Sequence, residues 1–323
     1  MSEKNEIIKK QEFKWASVLW YIHLQVLGVY GFYVLITQAQ WLTVIYAIFI
    51  MSLAGLGITA GAHRFWAHES FEASGAVRLF LMLCHTLAGV GPIYDWVLSH
   101  RIHHKFYGTE NDPYNHNNGF LYSHVFSNLM TDTPERKKVE KDIDMRIIEV
   151  DGYVWLQKRL YWILFPILGL LLPMNAPAEY WGESIMNSIF ILGFLRLAVS
   201  NQISCLVNSA MLIWGLKPGD KFPVDDNSIF IINKSYWPNY HYLLPWDWKT
   251  GEFGGYDKGW TSFIIRMWEP MGVITALKTI TCKAVRDILY IAADKKKSPS
   301  DCWETLKTIA DDEARKAALR YHH

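Results

Sequence analysis

Residues 41–68 read WLTVIYAIFIMSLAGLGITAGAHRFWAH. From Trp41 to Ala62 there is no charged side chain, and the run is long enough to cross a bilayer as a helix. It passes without a break into His63 and His68. Gly55, Gly57 and Gly61 near its end permit close approach by another helix or a ligand. Upstream, residues 15–36 form a second apolar run, in which Tyr21, His23 and Gln25 are the clear polar interruptions. Only Thr37, Gln38, Ala39 and Gln40 separate the two, so the pair reads as a transmembrane hairpin.

Downstream, the apolar run from Val77 to Val90 is short and suits a buried or interfacial helix better than a span. Residues 105–158 are mostly polar and read as a soluble cap segment. Two further apolar regions follow, at 160–174 and 185–214. The second is interrupted by Arg196, Asn201, Gln202, Asn208 and Ser209, and polar groups at membrane depth usually face a protein interior or a site. The expected spans are about 15–36, 41–62, 160–174 and 185–207. They lie in a membrane domain over 15–290, between an N-terminal tail (1–14) and a polar, solvated C-terminal tail (291–323).

The short connections 37–40 and 175–184 contain no Lys or Arg, whereas the polar segments hold nearly all of them. The positive-inside rule then places both termini and both large polar segments in the cytosol. The expected fold is an all-α membrane protein with four transmembrane helices in two hairpins and a cytosolic helical cap. The chain of 323 residues is 51% hydrophobic and 15% aromatic, with 15 Trp and 17 Tyr, rings that favour the membrane–water boundary. Mean hydropathy is +0.04. A net charge of +1 implies no global attraction to nucleic acid. Cys84, Cys205, Cys282 and Cys302 form no CxxC pair and read as buried free thiols. The polar first fourteen residues, with Lys4, Lys9, Lys10 and Lys14, do not read as a cleavable signal peptide.

Residues 100–105 read HRIHHK. On a helix His100 sits one turn from His103 and His104, so all three can project from one broad face. Neutral imidazole is the commonest protein metal ligand and suits iron, zinc or copper. A surface histidine run without metal is the alternative. His63 and His68 are five apart, which puts them on different faces of a regular α-helix. They would then serve two metals, or the helix would unwind between them, or they are interfacial histidines only. On the expected topology His63, His68, His100, His103, His104 and His241 all lie on one side of the membrane, where they could converge.

These motifs carry a resemblance. Residues 57–68 (GITAGAHRFWAH) and the pair Tyr94-Asp95-Trp96 and His100–Lys105 resemble the first two histidine boxes of membrane-bound acyl-CoA desaturases of the stearoyl-CoA desaturase type, insect members in particular. Residues 111–115 (NDPYN), 157–159 (QKR), 206–210 (LVNSA) and 245–249 (PWDWK) match in the family's order, over about 15–290. The resemblance implies two irons held by nine histidines and an Asn acting through water. It also implies a bent tunnel for the chain of an acyl-CoA, electrons from cytochrome b5, oxygen activation and a cis double bond, often of the delta-9 type. The cofactor would carry the hard step and the protein would set geometry.

Six of those histidines match, namely His63, His68, His100, His103, His104 and His241, and so does Asn208. Three do not: the positions are occupied by Leu212, Pro238 and Tyr242. Leu and Pro offer no side-chain donor, and Tyr242 is a weak substitute at its ordinary pKa of roughly 10. Where the family commonly has CoA-facing Arg residues, this chain has Leu98-Ser99 and Asn117-Asn118, and Arg is the preferred fork for phosphate. The acyl-kink positions persist as Trp96 and Ser204, and Met51 and Gly55 match the tunnel end, ordinary helix packing being the alternative. The expectation is therefore a family member in the endoplasmic reticulum membrane with impaired or lost desaturation, holding one iron or none. It would bind or regulate, sensing acyl chains or pairing with an active desaturase. The alternative is an active two-iron acyl-CoA desaturase in which Tyr242, Asp225 or Asp226 supplies a replacement ligand.

Overall fold

The computed structural model describes residues 11–212, 240–252, 256–293 and 298–320. Pro238, Asp225, Asp226 and residues 1–10 of the N-terminal tail lie outside them. The described chain is mostly helical, with almost no sheet. In order come α1 (Trp15–Thr37), α2 (Trp41–Ala67), α3 (Gly75–Ala88), α4 (Ile93–Lys105), α5 (Gly152–Trp181), α6 (Ile185–Ser209), α7 (Tyr240–Leu243), α8 (Trp260–Trp268), α9 (Cys282–Ala293) and α10 (Pro299–Arg320). Short helical turns fill much of the stretch between α4 and α5, and β1 (Glu72–Ala73) pairs antiparallel with β2 (Ile274–Thr275). The residues group into two compact units, one of 1–62 and 79–209, the other of 63–78 and 210–323.

α1, α2, α5 and α6, which belong to the first unit apart from the end of α2 from His63 on, are each long and apolar enough to cross a membrane. Their large side chains face outward: Val29 is 73% exposed and Trp162 82%. Water would expel such a surface, whereas hydrocarbon accepts it. Close approach of α1 and α6 rests on glycine. A Cβ at Gly31 would stand 2.2 Å from the Phe190 carbonyl oxygen, and one at Gly28 would stand 2.8 Å from the Ala198 Cβ. Gly57 does the same for α2 against α3, where a Cβ would meet the His85 backbone nitrogen at 2.2 Å.

α5 outruns the expected 160–174 at both ends. Its start is fixed by the Asp151 carboxylate, which accepts from Tyr153 N and Val154 N, and its end by Gly182 at φ 70°. Pro166, Pro173 and Pro177 do not stop it, because a π-helical stretch at Phe165–Leu171 absorbs the first ring. The two turns that lack Lys and Arg are clasped together. Glu183 Oε2 accepts from Thr43 Oγ1 at 2.7 Å and from Gln40 N at 2.8 Å, and Trp181 Nε1 donates to Thr43 Oγ1 at 2.8 Å. Arg196 is fully buried in α6 and donates to the carbonyls of Leu192, Leu87 and Gly169. Its charge is thus spread over three backbone dipoles rather than left bare. The run at 77–90 becomes α3, which meets α4 at 87° across a short break.

The last residues before α1 are not free. Lys14 N donates to Leu129 O at 2.8 Å and Thr131 N to Glu12 O at 2.8 Å. In the second unit the stretch expected to be a solvated tail instead forms α10, which buries Cys302, Leu306 and Ala310 against Val285 and Ile288 of α9 and against Leu244 and Trp246. The spacing of four makes one apolar stripe. The abundant acids and lysines on the remaining faces hide it from a composition reading. Among the described cysteines Cys84, Cys205 and Cys302 are buried free thiols.

Candidate metal centre

The last turns of α2, Gly57–Ala67, are π-helical. The hydrogen bond from His68 N reaches His63 O at 3.1 Å, a step of five residues. A five-residue spacing that separates two side chains on an α-helix brings them together here, with His63 and His68 ring centroids 4.7 Å apart. This corrects the expectation of different faces: the helix widens rather than unwinds. His241, buried in α7, completes a triangle, 4.8 Å from His63 and 4.9 Å from His68 by ring centroid. Each of the three offers a ring nitrogen, and those nitrogens lie within 4.8 Å of one another.

The second layer fixes which nitrogen points where. His63 Nδ1 donates to Glu252 Oε1 at 3.0 Å, which leaves Nε2 carrying the lone pair. That Nε2 faces His241 Nε2 at 3.2 Å. Two nitrogens on one ion lie roughly 3–4 Å apart when metal–nitrogen bonds are about 2.1 Å, so the pair has a metal-bridging separation. Glu252 is in turn gripped by Arg64 through Nε at 2.7 Å and Nη2 at 3.0 Å. Arg64 Nη1 donates to Trp248 O at 2.6 Å and Ser262 Oγ at 3.0 Å. Burial pushes the Glu252 carboxyl up, but the Arg64 charge and the His63 and Arg64 hydrogen bonds outweigh it and hold it well below the usual range. It is therefore a carboxylate, the form that can accept from His63.

The first unit carries the other histidines on α4. His100 Nδ1 donates to Asn208 Oδ1 at 2.8 Å, and His103 Nδ1 to Asp112 Oδ1 at 2.7 Å. Again each bond commits Nδ1 and leaves Nε2 as the ligating atom. His104 is half-buried, its ring 4.7 Å from that of His100. Asp112 is held by Tyr114 N at 2.9 Å and Gly108 N at 3.2 Å. A further histidine was not anticipated. His116 is fully buried, packs its ring 5.0 Å from that of His103, and bonds through Nε2 to Asn208 O at 2.7 Å. Burial, then the neighbouring His103, push it down to about 4, so it is a neutral imidazole. Glu252, Arg64 and Asp112 were missed as well. Arg64 and Asp112 stand inside quoted motifs, but Glu252 has no spacing that ties it to His63.

The remaining positions divide. Trp96 Nε1 donates to Ser204 Oγ at 2.8 Å, so those two touch. Met51 and Gly55 are half-buried on α2, and a Cβ at Gly55 would meet Ile203 at 3.7 Å. Leu212 ends the short turn after α6 and brings only hydrocarbon. Tyr242 is buried in α7 beside His241. On the first unit a groove of about 830 Å³ opens beside Leu98, lined by the bases Lys137, Lys141 and Arg146 and by five acids, among them Asp95 and Asp144.

No protein-family model matches the chain. Individual relatives do. It is 38% identical over 280 residues, 86% of this chain and 78% of the relative, to an acyl-CoA Delta-9 desaturase of Acheta domesticus. It is 36% identical over 271 residues, 83% of this chain and 76% of the relative, to an acyl-CoA Delta-12 desaturase of Tribolium castaneum. The stearoyl-CoA desaturase of Homo sapiens is 32% identical over 280 residues, 85% of this chain and 77% of its own. Identity at this level over more than four fifths of the chain means that it belongs to the acyl-CoA desaturases.

Proposed function

We propose that this protein holds iron in its histidine set and engages a fatty acyl chain, with oxygen-dependent desaturation impaired or lost, so that it acts as a binding or regulatory homologue. The observation that carries this is Leu212. Four residues before it, Asn208 still braces His100, yet the following turn brings a hydrocarbon where the family resemblance implies a donor. Tyr242 and Pro238 are the companion losses. Iron, when bound, supplies the oxidising chemistry. The protein's own part is to fix His63 through Glu252, His103 through Asp112 and His100 through Asn208, each with Nε2 ready to bind.

The headgroup side supports the same reading. The groove beside Leu98 holds five acids against three bases, a poor match for the phosphates of CoA. Trp96 and Ser204, bonded to each other at the positions where the resemblance implies an acyl kink, support acyl-chain binding. The setting is the endoplasmic reticulum membrane, as the family resemblance implies, and the charge distribution favours cytosolic termini. In this regulatory role the protein's partner is an active desaturase, and in the second reading cytochrome b5 is its electron donor.

That second reading is an active desaturase making a cis bond of the delta-9 type. The intact bonds behind His63, His100 and His103 favour it, since they are what a working centre needs. The deciding experiment expresses the chain in desaturase-deficient cells and profiles their fatty acids. No new double bond is expected. A new unsaturated product would overturn the inactive reading, and loss of iron in Tyr242→Phe would then identify Tyr242 as the replacement ligand.

A further inference from the structure

We propose that His116 is a further histidine donor of the metal centre, beside His103 in the unit that also carries His100 and His104. The inference rests on the iron-holding reading above. Three histidines of this unit share one arrangement, a ring nitrogen tied to an oxygen of a neighbouring element. His100 is tied to Asn208 Oδ1 at 2.8 Å, His103 to Asp112 Oδ1 at 2.7 Å and His116 to Asn208 O at 2.7 Å. A carbonyl only accepts, so His116 Nε2 carries the proton and Nδ1 carries the lone pair. This is how a ligating imidazole is normally set, with the outer bond fixing tautomer and ring plane.

The placement suits the task. His116 is fully buried, in a short turn (His116–Asn118) that Asn115 caps by accepting from Asn117 N. Its ring stands 5.0 Å from that of His103 at 55°, a separation open to two imidazoles sharing an ion. Its Nδ1 faces the Tyr107 hydroxyl at 3.4 Å, a long contact that a metal bond would replace at little cost. The carbonyl it grips belongs to Asn208, the residue that also braces His100 and that lies four positions before Leu212. One residue of α6 thus orients two imidazoles.

The test measures iron per chain by mass spectrometry, with chelator competition, on full-length protein purified in mild detergent from iron-supplemented cells. His116→Gln is the informative variant. Its amide can still donate to Asn208 O, but it lacks the imidazole lone pair. His116→Ala and Tyr107→Phe accompany it, each checked by thermal melting. The wild type is expected to hold iron. His116→Gln and His116→Ala are expected to lower iron affinity by about tenfold or more, and Tyr107→Phe to leave it unchanged. Wild-type affinity in His116→Gln would overturn the inference alone and make His116 a brace for Asn208. Equal losses in Tyr107→Phe and His116→Gln would also overturn it, by assigning the effect to their packing. A wild type without iron would overturn both the inference and the reading it rests on.

Discussion

The histidines of the two units are steadied by different means. In the second unit His63 leans on Glu252, a carboxylate whose charge is answered by Arg64 at two points. In the first unit His103 leans on Asp112, which backbone N–H groups hold, and His100 leans on a neutral amide, Asn208. The one is built as a buried ion pair, the other as hydrogen bonds closed within a turn and between α4 and α6. A buried ion pair is fragile when cut, because it leaves a bare charge behind. A carboxylate in a turn of backbone donors keeps its partners when a side chain elsewhere changes.

That contrast can be broken most sharply at Arg64. Arg64→Ala strands Glu252 in the interior and is expected to cost about 3–5 kcal/mol, read as a large fall in thermal midpoint in detergent. A fall of less than about 1 kcal/mol would mean that water reaches Glu252 and that the ion-pair account is wrong. Next in size come Glu252→Gln and Asp112→Asn, which keep shape and remove charge. Each is expected to weaken iron binding by about 10–100-fold in chelator competition. A loss confined to Glu252→Gln would show that only the second unit's histidines bear metal. The smallest effect is expected from Ser204→Ala, which removes the acceptor of Trp96 Nε1 at a cost of about 1 kcal/mol in thermal stability. Against that small loss, a changed chain-length preference in acyl-chain binding would place the pair on the acyl path.

Much of this was legible in the residues, for reasons that differ by region. The spans announced themselves because lipid demands long charge-free runs, and α1 and α2 match the expected 15–36 and 41–62 closely at their starts. α5 was underestimated because its caps, Asp151 and Gly182, lie in polar or proline-rich sequence that reads as loop. α10 was missed because a stripe of small and sulfur-bearing residues is faint among charges. At the metal centre the imidazoles were visible by type and spacing. Their supports were not. Glu252 meets His63 across 189 residues of chain, and His116 meets Asn208 across 92, separations that no local pattern encodes. Periodicity misled at one point only: five residues mean opposite sides of an α-helix, and the turn after Gly57 is not one.

That widened turn also acts as a counting device. Each residue advances an α-helix by about 100°, so inserting one residue between His63 and His68, such as an Ala after Phe65, would swing everything beyond it by roughly that angle. The composition would barely change and the span would still cross. Yet His68 would be carried around the axis, away from His63 and His241, and the triangle of imidazoles would open. In this segment the number of residues matters as much as their identity, and natural length variation should be far rarer between His63 and His68 than in the polar stretch between α4 and α5.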